Sequence, residues 1–160
     1  MRTSTLAQVL AKYSAGPQNG IFTDGGASPN PGQGGWGYVW VENGSVVKKD
    51  YGAENETTNN RMELTAIINA LEVIPAGQQV TIYSDSNLCV QTFNTWAHNW
   101  FKNKWKKKGG EIKNLDLIQK AYPLFQEKPQ VKLEWIKAHN GWLWNEYADS
   151  LATAWARDIL

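Results

Sequence analysis

The chain has 160 residues, 42% of them hydrophobic and 19% charged, which suits one globular domain with its own core and excludes a disordered or low-complexity chain. Its net charge of +1 hides an uneven distribution: between Trp100 and Lys113 six lysines face one acid, Glu111, so that stretch carries +5 and the rest of the chain −4, a pattern that calls for a polyanionic partner. A single cysteine, Cys89, and two histidines exclude an internal disulfide and a Cys/His zinc cluster. No apolar run approaches the roughly 18–20 residues of a membrane span, so a cytoplasmic protein is expected.

Residues 1–19 read as an extension. Leu6, Val9, Leu10 and Tyr13 repeat at helical spacing behind a Ser4 or Thr5 cap, and Gly16-Pro17-Gln18-Asn19-Gly20 ends the pattern. From residue 20 the sequence predicts a strand over Ile21 to Asp24, a Gly/Pro/Asn turn, then strands over Gly35 to Glu42 and Ser45 to Gly52 joined by the hairpin signal Asn43-Gly44. A helix is predicted from Asn59, with Met62, Ile67, Ile68, Leu71 and Ile74 at helical spacing, ended by Pro75 and Gly77. Gln79 to Ser84 alternates as a strand. Short helices follow over Asn87 to Phe93 and on to Trp100, then a longer one capped by Asn114, a strand over Val131 to Lys137 and a closing helix from about Asn145. Three antiparallel strands followed by helix, strand, helices, strand and helix predict an α/β domain, a mixed sheet flanked by helices.

Gly32-Gln33-Gly34-Gly35-Trp36-Gly37 matches the G-x-G-x-x-G pattern of dinucleotide sites. That mechanism needs a helix after the glycines, and here they lead into the strand-like Tyr38-Val39-Trp40-Val41, so the match is set aside as a glycine-rich turn. The carboxylates are more informative. Asp24 and Asp85 each end an apolar strand, and ligands collect at the carboxyl ends of strands in open α/β sheets. Glu63 is placed in the first turn of the helix after Asn59, and Asp149 in the first turns of the last helix. Singly, each has a structural explanation as a turn or helix-terminus acid. Together, four like charges on one rim would repel unless cations neutralise them. Oxygen ligands without thiolate suit Mg²⁺ or Mn²⁺, and two such ions about 4 Å apart support in-line displacement at a phosphodiester. A metal-dependent nuclease is expected.

The strings Ile21-Phe22-Thr23-Asp24-Gly25-Gly26, Asn30-Pro31-Gly32, Thr57-Thr58-Asn59-Asn60-Arg61-Met62-Glu63-Leu64, Tyr83-Ser84-Asp85-Ser86 and Ala138-His139-Asn140-Gly141, followed by Asn145-Glu146-Tyr147-Ala148-Asp149, resemble the bacterial type 1 ribonuclease H family from about Gly20 to Ile159. The resemblance implies a five-stranded mixed sheet with helices, the extension 1–19 followed by a catalytic domain 20–160, and cleavage of the RNA strand of RNA·DNA hybrids by two Mg²⁺ ions, with Mn²⁺ able to substitute. The products carry 5′-phosphate and 3′-hydroxyl ends, and a monomer is expected. By position, Asp24, Glu63, Asp85 and Asp149 take the metal-ligand roles, and His139 sits on a mobile loop, assisting proton transfer or product departure. The stretch at about 96–113, with Lys102, Lys104, Lys106, Lys107, Lys108 and the tryptophans Trp96, Trp100 and Trp105, resembles the family's basic protrusion, which grips the DNA strand. Ala138 stands where the family usually has glycine, and Asn140 and Trp142-Leu143-Trp144 are unusual, which predicts a stiffer loop.

The residues themselves support a substrate surface. Asn30, Thr58 and Asn59 offer amides and a hydroxyl near a turn and a helix start, a setting for a DNA phosphate. Gly25 and Gly26 let backbone approach the minor groove, where the 2′-hydroxyl distinguishes RNA. Asn87 and Gln91 are candidates for sugar or base-edge contacts, and Trp96 for stacking on a deoxyribose, while core packing is the expectation for Trp100 and Trp105. Junction-resolving nucleases and transposases place carboxylates on similar sheets with other motif spacing. A binding module would not need four carboxylates, and a glycosidase would leave the lysine cluster unexplained.

Overall fold

The computed structural model describes residues 3–160. Thr5 opens α1 (Leu6–Lys12) through a capping box, its hydroxyl accepting from Gln8 N and the Gln8 side chain accepting from Thr5 N. Leu6 and Val9 are buried, whereas Leu10, predicted on the same face, is exposed. Then β1 (Gly20–Ala27), β2 (Gly32–Glu42) and β3 (Ser45–Thr57) form an antiparallel meander, with positive φ at both Asn43 and Gly44 in the tight turn that the sequence predicts. After α2 (Asn59–Val73) come β4 (Thr81–Ser84), α3 (Asn87–Gln91), a π turn (Thr92–Trp96), α4 (Ala97–Lys102), α5 (Leu115–Glu127), β5 (Lys132–Trp135) and α6 (Leu143–Ala152). The sheet order is β3-β2-β1-β4-β5, with β4 parallel to both β1 and β5. This is the predicted five-stranded mixed sheet.

The period-two alternation of the strands divides the core between the two faces. Ile21 and Tyr38 pack with Leu64, Ile67 and Leu71 of α2 and with Ile118 and Tyr122 of α5. Their neighbours Phe22, Val39 and Val41 pack on the other face with Leu6 and Val9 of α1 and Trp144, Tyr147 and Leu151 of α6. Cys89 is a buried small hydrophobe in the first cluster.

Several boundaries differ from the sequence reading. The first three strands run on through the glycines, so the whole G-x-G-x-x-G string lies inside β2. Two of its glycines serve helix packing: a Cβ at Gly35 would sit 2.4 Å from the Ala152 carbonyl oxygen and one at Gly37 2.4 Å from Leu151 Cβ, both in α6. Asn114 adopts left-handed φ and makes no side-chain cap; its carbonyl, not its amide, meets the first turn of α5. The last helix begins two residues earlier than predicted, at Leu143, and ends at Ala152, leaving Trp155 in a separate 3₁₀ turn. Two placements of acids change with this. Glu63 is the fifth residue of α2, beyond its first turn. Asp149 belongs to the last turn of α6, where the negative end of the helix dipole disfavours a carboxylate.

Candidate active site and nucleic-acid interface

The parallel pairing of β1 with β4 aligns Thr23 with Ser84, so Asp24, inside β1, and Asp85, just past the end of β4, follow side by side. From the opposite side α2 presses onto β1. A Cβ at Gly25 would lie 2.3 Å from the Met62 carbonyl carbon and 2.5 Å from Glu63 N, and this approach brings the Glu63 carboxylate to the aspartates. Gly25 N then donates to both Asp24 Oδ1 (2.9 Å) and Glu63 Oε1 (3.2 Å). Gly25→Ala is therefore expected to destabilise the fold by about 3 kcal/mol or more, at the upper end of overpacking costs because backbone cannot yield. Thermal melting should show a fall of roughly 6–12 °C at this chain length. Melting within a degree of the parent would contradict the close packing of α2 on β1.

Asp24, Glu63 and Asp85 each present a carboxylate oxygen, and these oxygens lie within 4.8 Å of one another. Asp149, on α6, lines the same cleft of about 870 Å³, outside that tight trio. Burial, reinforced by the charges of Glu63, Asp85 and Asp149, pushes the Asp24 carboxyl well above the ordinary range. Burial and the Asp85 charge do the same to Glu63, and burial raises Asp85. Glu63 Oε2 is buried with no hydrogen-bond partner. A crowded, all-oxygen, partly orphaned donor set is chemically suited to hard divalent cations.

The remaining predicted residues divide into a rim and a protrusion. Asn30 Oδ1 accepts from Asn59 N (3.1 Å), and Asn59 Oδ1 accepts from Ala27 N (2.7 Å). The two asparagines thus tie the end of β1 and the following turn to the start of α2. Thr58 caps α2 by accepting from Arg61 N. Gly25 and Gly26 line the cleft, and a Cβ at Gly26 would meet only the Asn59 side chain, at 3.5 Å. Asn87 is exposed at the start of α3, and Gln91 accepts from the Thr95 hydroxyl. A neighbouring groove of about 340 Å³ is lined by Leu88, Trp96, Trp100, Lys107 and Lys113, and shares Asn60 with the cleft. Trp96 is 39% exposed, whereas Trp100 and Trp105 pack partly against the core, as expected.

The basic protrusion has an aromatic root. Trp105 meets Tyr122 edge-on (centroids 5.6 Å apart), Phe101 lies 5.1 Å from the same ring, and His98 Nδ1 is 2.8 Å from the Tyr122 hydroxyl. Beyond it Lys102, Lys104, Lys106, Lys107 and Lys108 are exposed, and none makes an ion pair among the described residues.

His139 stands on an exposed turn with positive φ, its Nδ1 3.5 Å from Glu146 Oε1. Asn140 Oδ1 accepts from Trp142 N, which gives that unusual residue a local role, and Gly141 supplies a positive-φ position the Ala138 argument did not count. Leu143 and Trp144 begin α6 and so are not loop residues. Glu146 and Asn60 were not singled out by the sequence reading. Glu146 lies three residues before Asp149, on the same helix face, and that spacing was the available signal.

Two parallel strands and two helices thus bring carboxylates together at one end of this sheet. The RNase H family model matches residues 17–157. Ribonuclease H of Hahella chejuensis is 41% identical over 141 residues, covering 88% of this chain and 94% of that protein. Among solved structures, LC9-RNase H1, a type 1 RNase H with the type 2 active-site motif, superposes with a TM-score of 0.68 at 30% identity, covering 88% of this chain and 74% of that one. LC11-RNase H1, solved in complex with an RNA/DNA hybrid, gives a TM-score of 0.63 at 26% identity over 83% and 92% of the two chains. The chain belongs to the ribonuclease H family. No helix among the described residues is long and apolar enough to cross a membrane.

Proposed function

We propose that the protein cuts the RNA strand of RNA·DNA hybrids endonucleolytically, using two Mg²⁺ ions for which Mn²⁺ can substitute, and leaves 5′-phosphate and 3′-hydroxyl ends. The observation that carries this reading is the convergence of Asp24, Glu63 and Asp85 carboxylates within 4.8 Å, with Asp149 across the same cleft. These four residues would hold the cations, which supply an activated water and charge stabilisation at the leaving oxygen when bound. All four come from one chain, which fits a monomer.

The rest of the chain orients the hybrid. Asn30 and Asn59 spend their side-chain oxygens on backbone N–H groups, so their amide nitrogens, with the Thr58 hydroxyl, serve a DNA-strand phosphate. Gly25 and Gly26 admit the minor groove, where RNA 2′-hydroxyls are read. Asn87 and Gln91 contact sugar or base edges, Trp96 stacks on deoxyribose, and Lys102, Lys104, Lys106, Lys107 and Lys108 hold the DNA strand. His139 exchanges a proton with the leaving group or eases product departure, its imidazole oriented by Glu146.

Two measurements test this. End-labelled RNA·DNA, RNA·RNA and DNA·DNA duplexes with Mg²⁺ or EDTA should show cutting only of the hybrid's RNA strand, and only with the metal; cutting of DNA·DNA, or of the hybrid in EDTA, would overturn the assignment. His139→Ala should lower kcat about ten- to a hundredfold, at or below the usual general acid–base contribution, while KM stays put. Full kcat from pH 6 to 9 would remove His139 from the mechanism.

A further inference from the structure

The family model begins at residue 17, yet the segment before it is built into the wall of the cleft. Leu6 and Val9 pack with Leu143, Trp144, Tyr147 and Leu151. The α1 end is tied down twice more: Ser150 Oγ donates to the Ser4 carbonyl (2.6 Å), and Leu6 N donates to the Leu160 carbonyl (2.8 Å). Lys12 and Tyr13 then line the same cleft as Asp24, His139 and Asp149. From there the chain crosses the start of α6. Ala15 pairs with Trp142 in an isolated parallel bridge, and its carbonyl accepts from Leu143 N (2.9 Å). Gly16, at φ +99, lies so close to Trp142 that a Cβ would be 2.6 Å from Trp142 Cγ. Trp144 Nε1 donates to Gln18 Oε1 (3.1 Å).

Residues 142–144, which follow the His139 loop, are therefore each held by the segment 15–18. At its other end the loop is fixed to the sheet, where Ile136 N donates to the Ser84 carbonyl (2.9 Å). Between those anchors the His139 side chain is 71% exposed, with the Glu146 carboxylate 3.5 Å away. Few conformations satisfy both ends of so short a loop, and releasing one end returns conformational entropy to it.

We propose that residues 13–18 are a positioning strap: by holding Trp142, Leu143 and Trp144 they fix the far anchor of the His139 loop and so set where the imidazole stands over the cleft. The inference rests on the reading of His139 given above and adds a role for a segment that lies mostly before the matched family region.

The test uses the full chain with Gly16→Ala and Trp142→Ala, each alone and combined with His139→Ala. The added methyl in Gly16→Ala meets Trp142 and must displace the strap. Its kcat on the hybrid should fall about three- to tenfold, well inside what a displacement of about 1 Å can cost, with KM unchanged and faster hydrogen exchange at the Leu143 amide. Neither strap variant should reduce kcat further once His139 is alanine, because the two act through one group. Trp142→Ala should show the same pattern without a strained backbone, so the idea stays open to refutation if Gly16→Ala does not fold. Unchanged kcat in both strap variants, or losses that multiply with that of His139→Ala, would overturn the strap alone. A silent His139→Ala would instead overturn the histidine's role and take the strap with it.

Discussion

Asp24→Asn and Asp85→Asn are each expected to lower hybrid cleavage by roughly a thousandfold or more, the scale at which removing one member of a concerted catalytic group acts, while making the metal-free protein more stable. The two outcomes share a cause. In the folded chain burial and mutual repulsion hold the carboxyls of Asp24, Glu63 and Asp85 above their ordinary range. Between the ordinary values and the raised ones the folded state binds more protons than the unfolded state, so stability falls as pH climbs through that window and is not regained at neutral pH. An amide at position 24 or 85 removes one of the repelling charges, and at this chain length each kcal/mol relieved raises Tm by about 2–4 °C. Melting in EDTA at pH 7.5 should therefore place both variants above the parent. Added Mg²⁺ should raise the parent's Tm, since a ligand of the folded state alone stabilises it by mass action, and should raise that of the variants less. A variant that melts lower in EDTA, or turns over normally in Mg²⁺, would break the assignment of this cluster.

Much of that cluster was legible before any coordinates. Asp85 closes an apolar strand as predicted, whereas β1 runs on past Asp24 to Ala27; what was legible at both is an acid following an apolar strand run, which is a one-dimensional pattern. Asp149 was legible as a residue but not in its setting, because the helix was predicted from Asn145 and therefore placed the acid too near its start. The structure starts α6 at Leu143 and puts Asp149 in its last turn. Helix starts are hard to read where no cap marks them: Trp142 makes no side-chain cap bond, whereas Thr5 and Thr58 announce α1 and α2. The glycines of β2 show the complementary limit. Their pattern suggested a turn, and Gly32 does pack on Pro29 of the preceding turn, but what selects Gly35 and Gly37 is the contact of α6 on β2, a long-range fact with no local signature. The same holds for α1, whose periodicity predicts a helix while saying nothing of its place against α6 and the His139 loop.

Replacing Lys104, Lys106, Lys107 and Lys108 together by alanine is expected to weaken hybrid binding strongly and leave the chemistry nearly intact. All four are exposed and carry no ion-pair partner among the described residues, so no folded-state ion pair is lost with them and the net worth of each charge lies in what it meets in the substrate. Every phosphate neutralised contributes about 0.9 to the slope of log affinity against log salt, which at about 0.15 M is a factor of roughly five per contact relative to 1 M. Four contacts give a loss of several hundredfold, read as a rise in KM, and a slope shallower by about 3.6. The carboxylate cleft is formed by other elements, and the protrusion's root, Phe101 and Trp105 against Tyr122, is untouched, so kcat and Tm should stay near those of the parent. The salt titration separates two causes that a single KM would confuse. If the lysines only solvate a surface, the slope will not move even where affinity changes slightly. If they bind phosphate, affinity of parent and variant will converge as salt approaches 1 M, because the counterion release that distinguishes them vanishes there.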